Sequence, residues 1–233
     1  MGIPERYRAV AAEVAAACAD AGRDPGEVRL VAVSKTVGAE GVGEALSAGA
    51  RDFGENRPDQ IVPKAAVYPQ ATWHFIGNIQ SRRIPDIVAS SALIHSLCDL
   101  RHGERISDAA ARLGKVQDVL VEVNVSGEPS KSGVAPADAP ALVRALCALP
   151  HVRVRGLMTM APRGDAGADR ASFEGLARLA DEIRPTLEPR DAEAFDELSM
   201  GMSEDWREAV SAGATIVRIG RAIFSDEFEE TPA

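Results

Sequence analysis

VRLVAVSKTVGAEGVGEALSAGARDFGE (residues 28–55) is the stretch that decides how this chain folds. It opens on a β-rich run, VRLVAVS (28–34), and passes through a helical stretch, AEGVGEALSAG (39–49), that stops at glycine as helices usually do. It then returns to extended sequence at RDFGE (51–55). Strand, helix and strand in that order imply parallel pairing through a right-handed crossover. VRLVAVS is apolar at successive positions, as a parallel strand covered on both faces requires.

The unit recurs. Further strands are predicted at TWHFIG (72–77), LIHSL (93–97), DVLVEVNV (118–125), VRGLMTM (154–160), DELSM (196–200) and TIVRIG (215–220), which makes eight. Helical stretches lie between them, among them PADAPALVRALCAL (136–149), ADRASFEGLARLADEI (168–183) and SEDWREAVSAG (203–213), and an amphipathic helix over about residues 4–21 leads the chain. Eight units between residues 28 and 220 predict an α/β fold, a single (β/α)8 TIM barrel preceded by an N-terminal helix, as one domain over residues 1–233. The alternative is an open doubly wound sheet. PRGDAGAD (162–169) is expected to be a loop and EFEETPA (227–233) a frayed acidic tail.

Composition narrows the function. Hydrophobic residues make up 45% and charged residues 26%, the balance of an ordinary globular protein, and with aromatics at 4% the core must be built from Ala, Val, Leu and Ile. The net charge is −9 and the pI about 5.0, with the Lys and Arg residues scattered, so nucleic acid is not an expected partner. No stretch has the roughly 20 apolar residues of a membrane span, and no signal-peptide pattern is present, so a cytoplasmic location away from membranes is expected. Cys18, Cys98 and Cys147 are odd in number and far apart, which fits free thiols in a reducing compartment. His74, His95, His102 and His151 show no metal-ligand spacing, so no metal is expected.

In such a barrel, chemistry belongs at the C-terminal ends of the strands. Lys35 follows the first strand, where it is either a desolvated amine able to act as a nucleophile or a lysine that has already reached solvent. In SMGMSEDW (199–206), Ser203 reads as a helix N-cap, and Gly201 would let backbone amides approach an anion. Glu204 and Asp205 would oppose that anion and must face away. Gly220 and Arg221 follow the eighth strand, where barrels often hold phosphate. Arg218 within that strand, and Glu122 and Asn124 within the fifth, alternate with apolar neighbours, so each faces either a polar site or a satisfied interior layer. His74 can face either way.

Taken together, VAVSKT (31–36), FGENRPDQ (53–60), WHFIGNIQS (73–81), VNVSGEPSKSGV (123–134), GLMTMAP (156–162), SMGMSEDW (199–206) and VRIGRAIF (217–224) resemble the pyridoxal 5'-phosphate (PLP) homeostasis protein family, an alanine-racemase-like barrel without that enzyme's second domain. The resemblance runs in order over nearly the whole chain. It implies PLP as cofactor, a Schiff base on Lys35, phosphate held by Ser203 and the Gly220 region, Arg218 at the pyridine nitrogen, and Asn56 and His74 lining the pocket. It leaves Lys131, in SKSG, without a derived role. It implies a carrier or regulator of intracellular PLP without turnover activity, with PLP and apo PLP-dependent enzymes as partners and a monomeric state. The alternatives are a PLP-dependent amino-acid racemase or lyase, and a Schiff-base aldolase using Lys35 without cofactor. One departure is visible: IQSRR (79–83) puts Arg82 and Arg83 where the family commonly has Asn-Lys.

Overall fold

A computed structural model of the chain describes residues 1–128, 131–162 and 166–228. After helix α1 (Ile3–Asp20) come eight strands: β1 (Arg29–Val33), β2 (Asp52–Glu55), β3 (Thr72–Phe75), β4 (Leu93–Leu97), β5 (Gln117–Glu122), β6 (Val152–Met158), β7 (Glu197–Ser199) and β8 (Ile216–Ile219). Each pairs in parallel with the next and β8 pairs with β1, closing the barrel and leaving the open-sheet alternative without support. The helices between them are α2 (Ala39–Ser47), α3 (Pro58–Val67), α4 (Ile84–Ser90), α5 (Leu100–Arg112), α6 (Ala139–Cys147), α7 (Ala166–Ile183), α8 (Pro189–Ala194) and α9 (Trp206–Ser211), and a short α10 (Arg221–Phe224) follows β8. Among the described residues no helix is long and apolar enough to cross a membrane.

The main apolar core lies outside the barrel wall. Residues of one strand parity, such as Ala32, Phe53, Phe75, Ile94, Val119, Leu157 and Ile219, are fully buried against the helices. Helix α1 puts Val10, Val14 and Cys18 onto this layer and packs on α2, α9 and α10. The other parity points inward, where the apolar cluster is small: Val31, Leu93, Leu120, Met158 and Ile216. The remaining interior is polar, with His74, His95, Ser199, Glu122 and Arg218 all buried.

Three local departures from the predicted boundaries have physical causes. β5 ends at Glu122 rather than residue 125, because Val134 donates to the Glu122 carbonyl and accepts from the Asn124 amide, so the loop doubles back on the strand end. The β5–β6 ladder slips by one residue between Val119 and Leu120, and Gly156 stands opposite the slip with φ +147°. A Cβ there would lie 1.9 Å from the Glu197 carbonyl oxygen, so only glycine fits. The expected 162–169 loop is shorter at its far end, since α7 already begins at Ala166; residues 163–165 and 229–233, the latter in the predicted acidic tail, lie outside the described residues.

Candidate functional site

A cleft of about 830 Å³ opens at the C-terminal ends of the strands. Lys35, two residues past β1, is exposed within it, and Asn56, directly after β2, lines it as well. Ser203, Arg218 and Gly220 lie on its β7–β8 side, with Met158 and Met160 from the end of β6. Five of the six residues singled out from the sequence therefore come together: Lys35, Asn56, Ser203, Arg218 and Gly220. His74 does not join them. It is 1% exposed and lies inside the barrel, where it contacts Asp52 and His95 rather than the cleft. The parity of β3 places it on the inner face at the level of Leu93, the first residue of β4, where with Asp52 and Arg29 it lines a separate pocket at the N-terminal ends of the strands.

The chain carries a net charge of −9, yet the cleft is lined by six cationic side chains (Lys35, Arg57, Arg82, Arg83, Arg218, Arg221) against two acids (Asp59, Glu204). Such a reversal draws anions to the mouth. Both acids are already engaged: Arg57 holds Asp59 at 2.8 Å and Arg221 holds Glu204 at 2.7 Å. The Arg57 guanidinium also holds the Asp59 carboxyl below its ordinary range. Arg82 and Arg83 sit in a 3-10 turn at the cleft edge, with Arg83 on Asp86 at 2.8 Å.

Arg218 differs from the others. It is 4% exposed, and its guanidinium donates to Ser199 Oγ at 2.6 Å and to the Thr159 carbonyl at 3.0 Å, both neutral acceptors. No carboxylate lies within ion-pair distance of it among the described residues. Burial pulls its pKa down to about 10, against the partly compensating fields of Asp205 and Glu122. A buried cation satisfied only by dipoles costs free energy that a ligand acceptor offsets. Glu122, 3% exposed on the inner face of β5, is pushed up to about 7 by burial, with the Arg218 field opposing.

The 199–206 segment departs from the expected capping. Helix α9 starts at Trp206, so Ser203 is not its N-cap; the Ser203 hydroxyl instead accepts a hydrogen bond from the Gly220 amide at 3.3 Å, tying the two strand-end loops together. Asp205 turns back into its own loop, accepting from the Met202 amide at 2.5 Å, so it does not oppose an anion in the cleft. Gly201, with φ +90°, is needed for packing: a Cβ there would lie 2.6 Å from Ala209 Cβ on α9. Asn124 serves its own loop, donating to the Glu128 carbonyl and accepting from Ser126 and the Gly127 amide, rather than lining the mouth. Lys131 folds onto Glu128 at 3.3 Å and the Met160 carbonyl at 3.3 Å.

Two features escaped the sequence reading. The buried pair of Lys64 on α3 and Glu55 at the end of β2 lies behind Ser34 and Lys35. His95 and Ser199 link His74 to Arg218 through the interior. The only available signal for the second was parity, since His95 alternates with the inward Leu93 as His74 does with Thr72.

A family model described as alanine racemase, N-terminal domain, matches residues 7–227. The pyridoxal phosphate homeostasis protein of Pseudomonas aeruginosa is 42% identical over 234 residues, covering 99% of this chain and 98% of its own. The protein of the same name from Aquifex aeolicus is 37% identical over 229 residues, covering 97% of this chain and 99% of its own. A solved structure of PipY from Synechococcus elongatus with PLP bound is 33% identical and superposes with a TM-score of 0.81 over 96% of this chain and 100% of that one.

Proposed function

The chain belongs to the pyridoxal phosphate homeostasis protein family, and from that premise we propose that it binds PLP in the mouth cleft and acts as a carrier or regulator of the intracellular cofactor. PLP, when bound, supplies an electrophilic aldehyde carbon. Lys35 would hold that carbon as a Schiff base, because its amine lies in the cleft just past a rigid strand and has no hydrogen-bond or ion-pair partner among the described residues. The Ser203 hydroxyl and the amides around Gly220 bind the phosphate, with Arg221 beside them. Asn56 lines the ring's surroundings.

The observation that carries this reading is Arg218. Among the described residues its buried guanidinium has only neutral partners, and it faces the same cleft as Lys35 and Ser203, so a ring nitrogen with a free lone pair is a fitting third acceptor. An arginine keeps that nitrogen unprotonated, which weakens the ring as an electron sink and suits holding the cofactor more than turning over amino acids. His74, which the resemblance put in the pocket, acts from beneath it in this reading.

Recipients of the cofactor are apo PLP-dependent enzymes of the cytoplasm, and the protein works there as a monomeric single domain. Titrating the apoprotein with PLP, followed by absorbance, tests the binding site. Saturable binding with a Lys35-dependent band supports it, whereas an unchanged band and affinity in Lys35→Ala together with Arg218→Leu refutes it.

A further inference from the structure

We infer that Ser199, His95 and His74 form a one-directional hydrogen-bonded chain through the barrel interior, anchored on Asp52, whose task is to hold the Arg218 guanidinium toward the cleft. The inference rests on the reading of Arg218 as the partner of the cofactor ring.

The chain is continuous. His74 Nε2 lies 3.0 Å from Asp52 Oδ1, His74 Nδ1 lies 2.9 Å from His95 Nε2, His95 Nδ1 lies 2.8 Å from Ser199 Oγ, and Arg218 donates to that same Oγ at 2.6 Å. It crosses from β2 to β8 through strands three, four and seven, and its three central members are buried.

With His74 neutral, its two ends fix its direction. Arg218 can only donate, and an ionised Asp52 can only accept. The proton on His74 therefore sits on Nε2, facing Asp52, and a neutral His74 leaves Nδ1 as an acceptor. His95 then donates from Nε2, and its Nδ1 accepts the Ser199 hydroxyl proton. In that arrangement both rings carry the Nε2–H tautomer. Burial, added to by the fields of His74, Arg218 and Arg29, holds His95 well below its ordinary pKa, which agrees with a neutral ring. The charged groups facing the pair are Asp52, Arg29 and Arg218, and Asp118, Arg155 and Glu197 line the same pocket as His74 at the N-terminal strand ends.

The physical consequence lies at Ser199. With its proton committed to His95, its lone pairs must face Arg218, so the guanidinium meets an oriented acceptor rather than a freely turning hydroxyl. Thr159 contributes the second fixed acceptor through its backbone carbonyl, at 3.0 Å. No ion pair among the described residues holds Arg218, so these two neutral acceptors set its direction, and His95 sets one of them. Ser199, His95 and His74 are positioning residues: they act through Arg218 and line no part of the cleft.

The chain is testable in the apoprotein by long-range 15N–1H correlation of the histidine rings near neutral pH. Both His74 and His95 are expected as neutral Nε2–H tautomers; a doubly protonated ring or an Nδ1–H tautomer at either position overturns the inference. Its role is tested with PLP. His95→Leu should weaken PLP binding about tenfold and shift the bound absorbance band, and His95→Asn, whose amide oxygen can still accept from Ser199, should recover most of the loss. His95→Leu protein with parental affinity and spectrum overturns the role even if the tautomers are as expected. Parent protein that binds no PLP overturns the cofactor reading, and with it the purpose assigned to the chain, while the ring tautomers still report whether the chain itself exists.

Discussion

The ammonium of Lys64 lies 2.5 Å from Glu55 Oε1 and 3.0 Å from the carbonyl oxygen of Ser34, the residue before Lys35. Both side chains are inside, Lys64 at 4% and Glu55 at 0% exposure, and the Ser34 hydroxyl donates to the same Glu55 oxygen at 2.8 Å. The pair joins α3 to the ends of β1 and β2 directly behind the cleft. Glu55 Oε2 is buried and has no hydrogen-bond partner among the described residues, so the pair is strongly dependent on Lys64. Lys64→Met should therefore destabilise the fold by about 3–5 kcal/mol, the cost of stranding a buried carboxylate. Denaturant titration checks this. Adding Glu55→Leu to Lys64→Met should return much of the stability, because no charge is then left buried; a double variant weaker than Lys64→Met alone would contradict the account.

Ser203→Ala should weaken PLP binding by about 1.5–3 kcal/mol, roughly ten- to a hundredfold, through loss of a hydrogen bond to a charged acceptor. The apoprotein should lose little stability, because Ser203 caps no helix and gives up only one long bond from the Gly220 amide. Calorimetric or absorbance titration separates the two effects. A large loss of apoprotein stability with unchanged PLP affinity would assign Ser203 to the fold.

Glu122 makes stability depend on pH with a definite sign. Its carboxyl has a pKa of about 7 in the folded protein against an ordinary 4.5, so the folded state binds the proton more tightly than the unfolded one. Stability must then fall as pH rises from about 4.5 through about 7, by on the order of 3 kcal/mol from this group. Unfolding curves of the parent and of Glu122→Gln across that window test it. The variant should lose less stability than the parent between pH 5 and 7.5, and parallel profiles would contradict the burial of an ionisable Glu122.

Much of this was legible in the sequence, because strand and helix alternate with clear periods. All eight strands fall within a few residues of their predicted bounds, and the errors occur where tertiary contacts override local pattern, as at the end of β5, where the loop carrying Val134 returns to pair with Val123. Lys35, Ser203, Arg218 and Gly220 stand at strand ends, and strand ends are readable. His74 was misplaced because alternation gives the face of a strand but not the depth within the barrel; the register with Leu93 sets that depth. The Ser203 capping pattern was misleading for a similar reason, since the hydroxyl found the Gly220 amide of another strand-end loop 17 residues away. Lys64 gave no signal at all: a lysine on a helix reads as solvated unless its buried acid is known.

Racemisation is expected to be absent or very slow. It requires a base on each face of the α-carbon, and Lys35 supplies one. Tyr7 lies on α1, and Tyr68, at the end of α3, has its hydroxyl against Gly43 of α2; neither lines the cleft. His74 is beneath the mouth, bonded to Asp52 and His95. Incubation of the holoprotein with single-enantiomer amino acids in heavy water is the check. Deuterium entry with retained configuration indicates one base, and exchange coupled to inversion at a catalytic rate would reverse the carrier reading.

On the proposed placement of Arg218 at the ring nitrogen, transamination is expected to be equally weak in the parent, because a protonated guanidinium cannot accept from the ring and would leave its nitrogen unprotonated. Arg218→Glu should raise the half-reaction with an amino acid, seen as conversion of bound PLP to the pyridoxamine form, provided the variant folds. Robust transamination by the parent would contradict the assignment of Arg218.

The proposed covalent link to Lys35 is tested most directly by reducing the PLP-loaded protein with borohydride and mapping the modified peptide by mass spectrometry. The account predicts one stoichiometric phosphopyridoxyl group, on Lys35, and none in Lys35→Ala treated in the same way. Modification centred on another lysine, or PLP-loaded protein that carries no covalent label after borohydride treatment, would contradict it.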